Sequence, residues 1–365
     1  MKLDLYFAKR FLTTFAGLFV LFFMFYALLD MVEQLRQFDA EQVGILSILH
    51  LTALNVPSGL YRILPLIVIL ATIALFLNLS RKSELVVTRA AGRSALRSLV
   101  SPVLMAFLLG CLAVAMFNPI VAATTKQYET VANRYSQRDA SVLSISKEGL
   151  WLRQGDKNGQ TVIRAERSNL DGTYLFSVSF LALGRDGIPI YRVEADGAEL
   201  TDGAWVLDKA KRWDFVGTRN PEQTAVISDT LSIPSDLTRD QIRDSFGTPS
   251  AIPIWELPAF IDRLERAGFS ARLHRVWFQM ELALPLMLSA MVMIGAGFTM
   301  RHARFGRTGT LVLLAILTGF TTFFVRNFAQ ILGENGQIPI LLAAWAPPIA
   351  AILMTLGLLL HLEDG

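Results

Sequence analysis

The sequence predicts an α-helical membrane protein with six transmembrane helices, arranged three and three around an inserted periplasmic all-β, jelly-roll-like domain. Three observations carry that reading. Six apolar runs, each long enough to cross a bilayer, fall into two groups of three. Lysine and arginine concentrate in alternate short loops, the asymmetry that sets membrane orientation. The long segment between the third and fourth runs breaks into short β-like stretches separated by turn dipeptides.

The first run, residues 11–29, carries no charge and at 1.5 Å per residue reaches roughly 28 Å, close to the hydrocarbon thickness of a bilayer. It follows Lys9 and Arg10 but has no small-residue cleavage site before a polar stretch, so it is expected to stay on the protein. No lipidation motif is present. The second run is 63–80, with its helix beginning near Leu51, and the third is 99–121. The fourth, fifth and sixth are 282–300, 308–325 and 338–360. Cations gather at Lys2, Lys9 and Arg10, at Arg81, Lys82, Arg89, Arg93 and Arg97, and at Arg301, Arg304 and Arg307. The opposite short loops carry only Arg36 and Arg326. Both termini are then cytoplasmic, and the long middle segment is periplasmic in a bacterium.

Composition agrees. Hydrophobic residues make up 53% and charged residues 18%, with a mean hydropathy of +0.44. The net charge of +3 does not point to nucleic acid, because the basic residues abut apolar spans rather than forming one patch. Cys111 is the one cysteine, which excludes a disulfide framework and leaves the middle domain to be held by its apolar core.

In that middle segment, 124–272, strands are expected at 149–153, 161–164, 174–183, 188–194 and 205–215. Turn signals stand at Asn158-Gly159, Asp171-Gly172, Asp186-Gly187, Asp196-Gly197 and Asp202-Gly203. Such spacing suits a sandwich, jelly roll or open barrel-like stack. After Pro249 the period becomes helical: Ile254, Leu257, Phe260, Ile261 and Leu264 share one face, and Gly268 is a stop signal. The expected division is 1–123, 124–272 with its terminal amphipathic helix, and 273–365.

The motifs for catalysis are missing. There is no phosphate loop, no zinc spacing among His50, His274, His302 and His361, and no nucleophile elbow. No catalytic and no metal-ligating residue is assigned, and the chain is read as no enzyme. Charge at the membrane boundary is the feature to weigh. Asp30, Glu33 and Arg36 follow one another at single helical turns, Arg62 precedes the second span, and Arg326 ends the fifth. They form either the rim of a polar cavity or ordinary interfacial anchors. Phe15, Phe19, Phe22 and Phe23 either line such a cavity or face lipid, and Gly295 and Gly297 permit close helix packing. The loop 81–98 reads as a short helix: Ser83, Glu84, Leu85 and Arg89 lead to a stop at Gly92. One acid among five bases suits docking onto another protein, or a plain positive-inside loop.

The stretch Ser83-Glu84-Leu85-Val86-Val87-Thr88-Arg89-Ala90-Ala91-Gly92 resembles the loop after the second helix of the lipopolysaccharide-export permeases of the LptF/LptG type. Gly149-Leu150-Trp151 is similar to the opening of that family's periplasmic domain. The stretch from Leu28 to Leu35 and the one from Ile338 to Pro348 are similar to helix ends of its G-type member. The likeness runs from about Leu3 to Leu360, with the same three-plus-three layout. It implies a pseudo-symmetric pair with an F-type permease partner, above a cytoplasmic ATPase dimer of LptB type. It also implies a single-span periplasmic bridge protein of LptC type and lipopolysaccharide as cargo. ATP would be used by the partner ATPase, with no cofactor bound directly. Ser83, Glu84, Leu85, Arg89 and Gly92 would form the ATPase coupling site, and Arg134 would meet acidic headgroups with the cavity-rim residues. Asp30 departs from the G-type pattern, which often carries a lysine there. A carboxylate would repel lipid phosphate. Either the local lipid is less anionic, or Arg36, Arg62, Arg134 and Arg326 supply the positive charge, or a divalent ion bridges Asp30 to phosphate. The competing readings are a non-transporting scaffold or signalling protein with a periplasmic binding domain, and a permease for another lipid or lipoprotein cargo.

Overall fold

A computed structural model describes residues 2–38, 44–90, 92, 94–135, 143–146, 149–156, 159–169, 172–184, 186–201, 203–217, 220–235, 237–238, 242, 248–266, 269–300 and 308–363. The chain divides into two compact units. A helical unit holds 1–136, 250–255 and 272–365, and a β unit holds 137–249 and 256–271.

The helical unit begins with α1 (Lys2–Gln37) and α2 (Ile45–Arg81), both longer than the apolar runs read from sequence. The short α3 (Glu84–Ala90) follows. The third span is α4 (Ala95–Leu112), a π-helical turn over Ala113–Phe117, and α5 (Asn118–Tyr135). Ser94 caps α4, its hydroxyl accepting from the Arg97 amide at 3.1 Å. Among the described residues, five helices are long and apolar enough to cross a membrane. The fourth span is a pair, α7 (Arg272–Leu282) and α8 (Leu284–Thr299), bent by 49° at Ala283; the preceding α6 (Leu257–Arg266) belongs to the β unit. The fourth apolar run expected at 282–300 is α8 itself, and α7 precedes it across the bend, where Pro285 in the first turn of α8 has no amide hydrogen to continue a helix from α7. The last spans are α9 (Thr308–Glu334) and α10 (Ile340–Glu363). The loop with Arg301, Arg304 and Arg307 lies outside the described residues.

α8 is the centre of this unit. Nearly every residue from Leu284 to Gly297 is buried, and the helix packs on α2, α4, α9 and α10. Two glycines let the backbones meet. A Cβ on Gly110 would lie 2.4 Å from Pro285 Cα, and one on Gly295 would lie 2.9 Å from Thr72. Phe7 and Phe11 are buried, and Phe15, Phe19 and Phe22 pack on α2. The rest of α1 stays outward: Val20, Leu21, Phe23, Met24, Phe25, Leu28 and Leu29 are exposed. So are Leu313, Leu317, Phe320, Phe324 and Phe328 on α9.

The β unit is a seven-stranded antiparallel sheet in consecutive order: β1 (Leu143–Ser146), β2 (Gly149–Asp156), β3 (Gly159–Ser168), β4 (Tyr174–Gly184), β5 (Pro189–Thr201), β6 (Ala204–Asp214) and β7 (Val226–Pro234). The all-β insertion is as expected, and its described strands run up and down without crossovers. One face buries Leu150, Leu152, Ile163, Leu175, Phe180, Val193 and Leu207, with Phe180 and Trp205 edge to face at 6.2 Å. The turn expected at Asp196-Gly197 is instead the middle of β5. Gly197 is there because a Cβ would sit 2.2 Å from the Tyr174 hydroxyl on the neighbouring strand. Asp186-Gly187 does turn, with Gly187 at φ +78°. Asn158, Asp171, Asp202 and Gly268, from the other turn and stop signals, lie outside the described residues. The amphipathic helix is α6 (Leu257–Arg266), beside β1, burying Leu257, Ile261 and Leu264.

Candidate functional site

Within the helical unit, α2, α5, α7 and α9 enclose a cavity of about 290 Å³. Its acid is Glu281, two residues before the bend in the fourth span and only 2% exposed. A buried carboxylate needs donors, and two helices supply them. The Tyr61 hydroxyl on α2 donates to Glu281 Oε2, and Asn118 Nδ2 on α5 donates to the same oxygen at 3.1 Å. Asn118 directly follows the π-helical turn, and its Oδ1 accepts from the Ile254 amide at 2.9 Å. Around this cluster the cavity is lined by Arg62 from α2 and by Arg326, Asn327 and Gln330 from α9. Arg326 donates to Asn327 Oδ1 at 3.4 Å. The indole nitrogen of Trp277, also on the wall, is buried with no hydrogen-bond partner. The lining thus holds two arginines, Arg62 and Arg326, and one acid, Glu281. Ile331, which is exposed and lines the same cavity, joins it to the apolar outer face of α9.

The structure divides the sequence-derived rim residues. Arg62 and Arg326 meet at this cavity, although 264 positions of chain separate them in numbering from 62 to 326. Asp30, Glu33 and Arg36 lie elsewhere, on the last turns of α1, and do not share one environment. Asp30 is buried and accepts from Asn55 Nδ2 at 2.6 Å, its other oxygen having no hydrogen-bond partner. Gln34, one turn on, donates to the Tyr128 hydroxyl at 3.0 Å. Glu33 and Arg36 are exposed. The Asp30 carboxylate thus faces α2. Arg134 falls on α5, and its side chain lies outside the described residues.

At the other candidate site Glu84 opens α3. It accepts from the Tyr6 hydroxyl at 2.7 Å and pairs with Arg10 at 3.6 Å, with Arg10 also 5.6 Å from the Tyr6 ring centroid. Leu85 is buried and anchors the helix, whereas Val86 and Val87 are exposed beside it. Ser83 takes φ +57° between α2 and α3, and Gly92 takes φ +79° beyond α3. The Arg89 side chain lies outside the described residues. Tyr6 and Arg10 had no signal in sequence beyond the basic N-terminus. Glu281 had one: it is a lone acid at the edge of the fourth apolar run.

The sequence profile of the lipopolysaccharide export system permease LptF/LptG matches residues 5–361. The chain is similar to the lipopolysaccharide export system permease protein LptG of Haemophilus influenzae, 22% identical over 93% of this chain and 92% of that one. It is also similar to LptG of Escherichia coli K12, 23% identical over 98% of each chain.

Proposed function

This chain belongs to the lipopolysaccharide export permease LptF/LptG family, and on that premise we propose that it is the G-type subunit of an ATP-driven exporter. In this reading it pairs with an F-type permease, extracts lipopolysaccharide from the inner membrane, and passes it to a periplasmic bridge. The cavity where Arg62 and Arg326 converge beside an exposed apolar helix face supports the reading best. An acylated phosphoglycolipid needs cations for its headgroup and apolar surface for its chains. The outward faces of α1 and α9 offer the apolar surface, and an F-type partner would complete the enclosure.

Glu281 limits the attraction. A purely cationic cavity would hold an anion too firmly to release it, and a buried carboxylate on the same cavity wall weakens that hold. The energy comes from elsewhere, since the chain carries no phosphate loop. The cytoplasmic ATPase of LptB type is assigned to the α3 surface, where the exposed Val86 and Val87 flank Glu84. Both termini are cytoplasmic and the β unit periplasmic, the side on which an LptC-type bridge would receive cargo. The test is reconstitution of the chain with its permease and ATPase partners in proteoliposomes, scored by ATP-dependent transfer of lipopolysaccharide to a soluble acceptor. Arg62→Glu with Arg326→Glu should lower photo-cross-linking of lipopolysaccharide from a probe at Ile331 and slow transfer. Transfer and cross-linking equal to the parent would remove this cavity from the cargo route.

A further inference from the structure

The segment 250–255 belongs with the helices, although the chain on either side of it belongs with the β unit. It is a six-residue tether, and its fastenings all lie at one place. The Ile254 amide donates to Asn118 Oδ1 at 2.9 Å. The Trp255 indole donates to the carbonyl of Ala115 at 3.2 Å, within the π-helical turn. Ser250 lines the cavity. That π turn leaves carbonyls out of the regular ladder, so Ala115 is free to accept a partner from outside the helix. Near it stands the 49° bend between α7 and α8. The two irregular helices touch through Gly110 and Pro285, and Asn118 bonds to Glu281, two residues before the break. Asn118 is therefore shared: one end of its amide holds the tether, the other holds the cavity acid.

We propose that Asn118 is a positioning residue that fastens the 250–255 tether to the bend of the fourth span, so that release of the tether re-aims the Glu281 carboxylate in the cavity. Its effect on cargo rests on the export reading above, whereas the fastening itself does not. One helix carries a π turn here and the other a break, which lets a small side-chain rearrangement become a change of helix angle. A joint of this kind links the chain arriving from the β unit to the charge balance that Arg62 and Arg326 experience.

The test uses the full-length chain in native membranes. Cys111→Ser removes the one native thiol, and Ser250→Cys then reports the tether through its rate of reaction with a water-soluble maleimide. With the tether fastened, that rate is slow. Asn118→Leu should raise it about tenfold, since it deletes a buried bond and an anchor point, and Trp255→Phe, at an exposed position that does not endanger folding, about fivefold. Rates for both variants within about twofold of the parent would overturn the fastening. The link to Glu281 is read in reconstituted complexes as lipopolysaccharide transfer by Asn118→Leu, Glu281→Gln and the double variant. If Asn118 acts through Glu281, the double variant is no slower than the worse single one; losses that multiply would overturn the link. If the parent complex transfers no lipopolysaccharide, the export reading fails by itself, and the cysteine rates still decide the fastening.

Discussion

Glu281→Ala tests the buried cluster directly. The carboxylate receives hydrogen bonds from Tyr61 and Asn118, and the three side chains are 2%, 7% and 2% exposed, taking Glu281, Tyr61 and Asn118 in turn. Truncation leaves two buried donors unmatched. Each costs about 1–3 kcal/mol, so the variant should lose about 2–6 kcal/mol. It also leaves the cavity lined by Arg62 and Arg326 without its acid. Glu281→Gln keeps an acceptor oxygen in the same place and exchanges charged for neutral bonds, a loss of about 1 kcal/mol for each of the two. Tyr61→Phe removes one donor, so its cost should shrink when combined with Glu281→Ala. The assay is heat-induced unfolding of the purified protein in mild detergent, followed by tryptophan fluorescence. The expected order of midpoints is parent, then Glu281→Gln, then Glu281→Ala. Glu281→Ala melting with the parent, or above Glu281→Gln, would refute the assignment of Glu281 as a satisfied buried acceptor.

Other expectations follow from single contacts. Glu84→Ala breaks the bonds to Tyr6 and Arg10 and should reduce the ATPase retained on the complex in detergent while leaving membrane insertion intact; unchanged retention would move the docking site off α3. Gly110→Val places a branched side chain where even a Cβ lies 2.4 Å from Pro285 Cα, so α4 and α8 must part, at about 1–3 kcal/mol. A melting midpoint equal to the parent's would contradict that close approach. Phe180→Ala hollows the β core under Trp205 and should cost about 3–5 kcal/mol, read as early proteolysis of the β unit with the spans intact.

The spans were legible because a bilayer demands long apolar runs, a one-dimensional signal. Their irregularities were not. The π turn at Ala113–Phe117 has no composition of its own, and the bend at Ala283 showed only as Pro285. Gly197 misled for a physical reason: Asp-Gly reads as a turn, yet this glycine makes room for Tyr174 across the sheet. Asp30, Glu33 and Arg36 follow at three-residue spacing, but the helix twists Asp30 onto α2 and leaves the other two outside. Arg62 and Arg326 could be picked as boundary charges, while their convergence depends on packing around α8. Glu281 gained meaning only with Tyr61 and Asn118, which lie 220 and 163 positions away.

The central claim is that this chain works as one half of an ATP-driven lipopolysaccharide permease. The most direct measurement is affinity isolation of the tagged chain from native membranes in mild detergent, with mass spectrometry of the proteins and lipids that accompany it. The account predicts a soluble ATPase with a phosphate loop, a second six-span permease and lipopolysaccharide in the same particle. Isolation of the chain alone, or with a periplasmic protein and no ATPase, would contradict it.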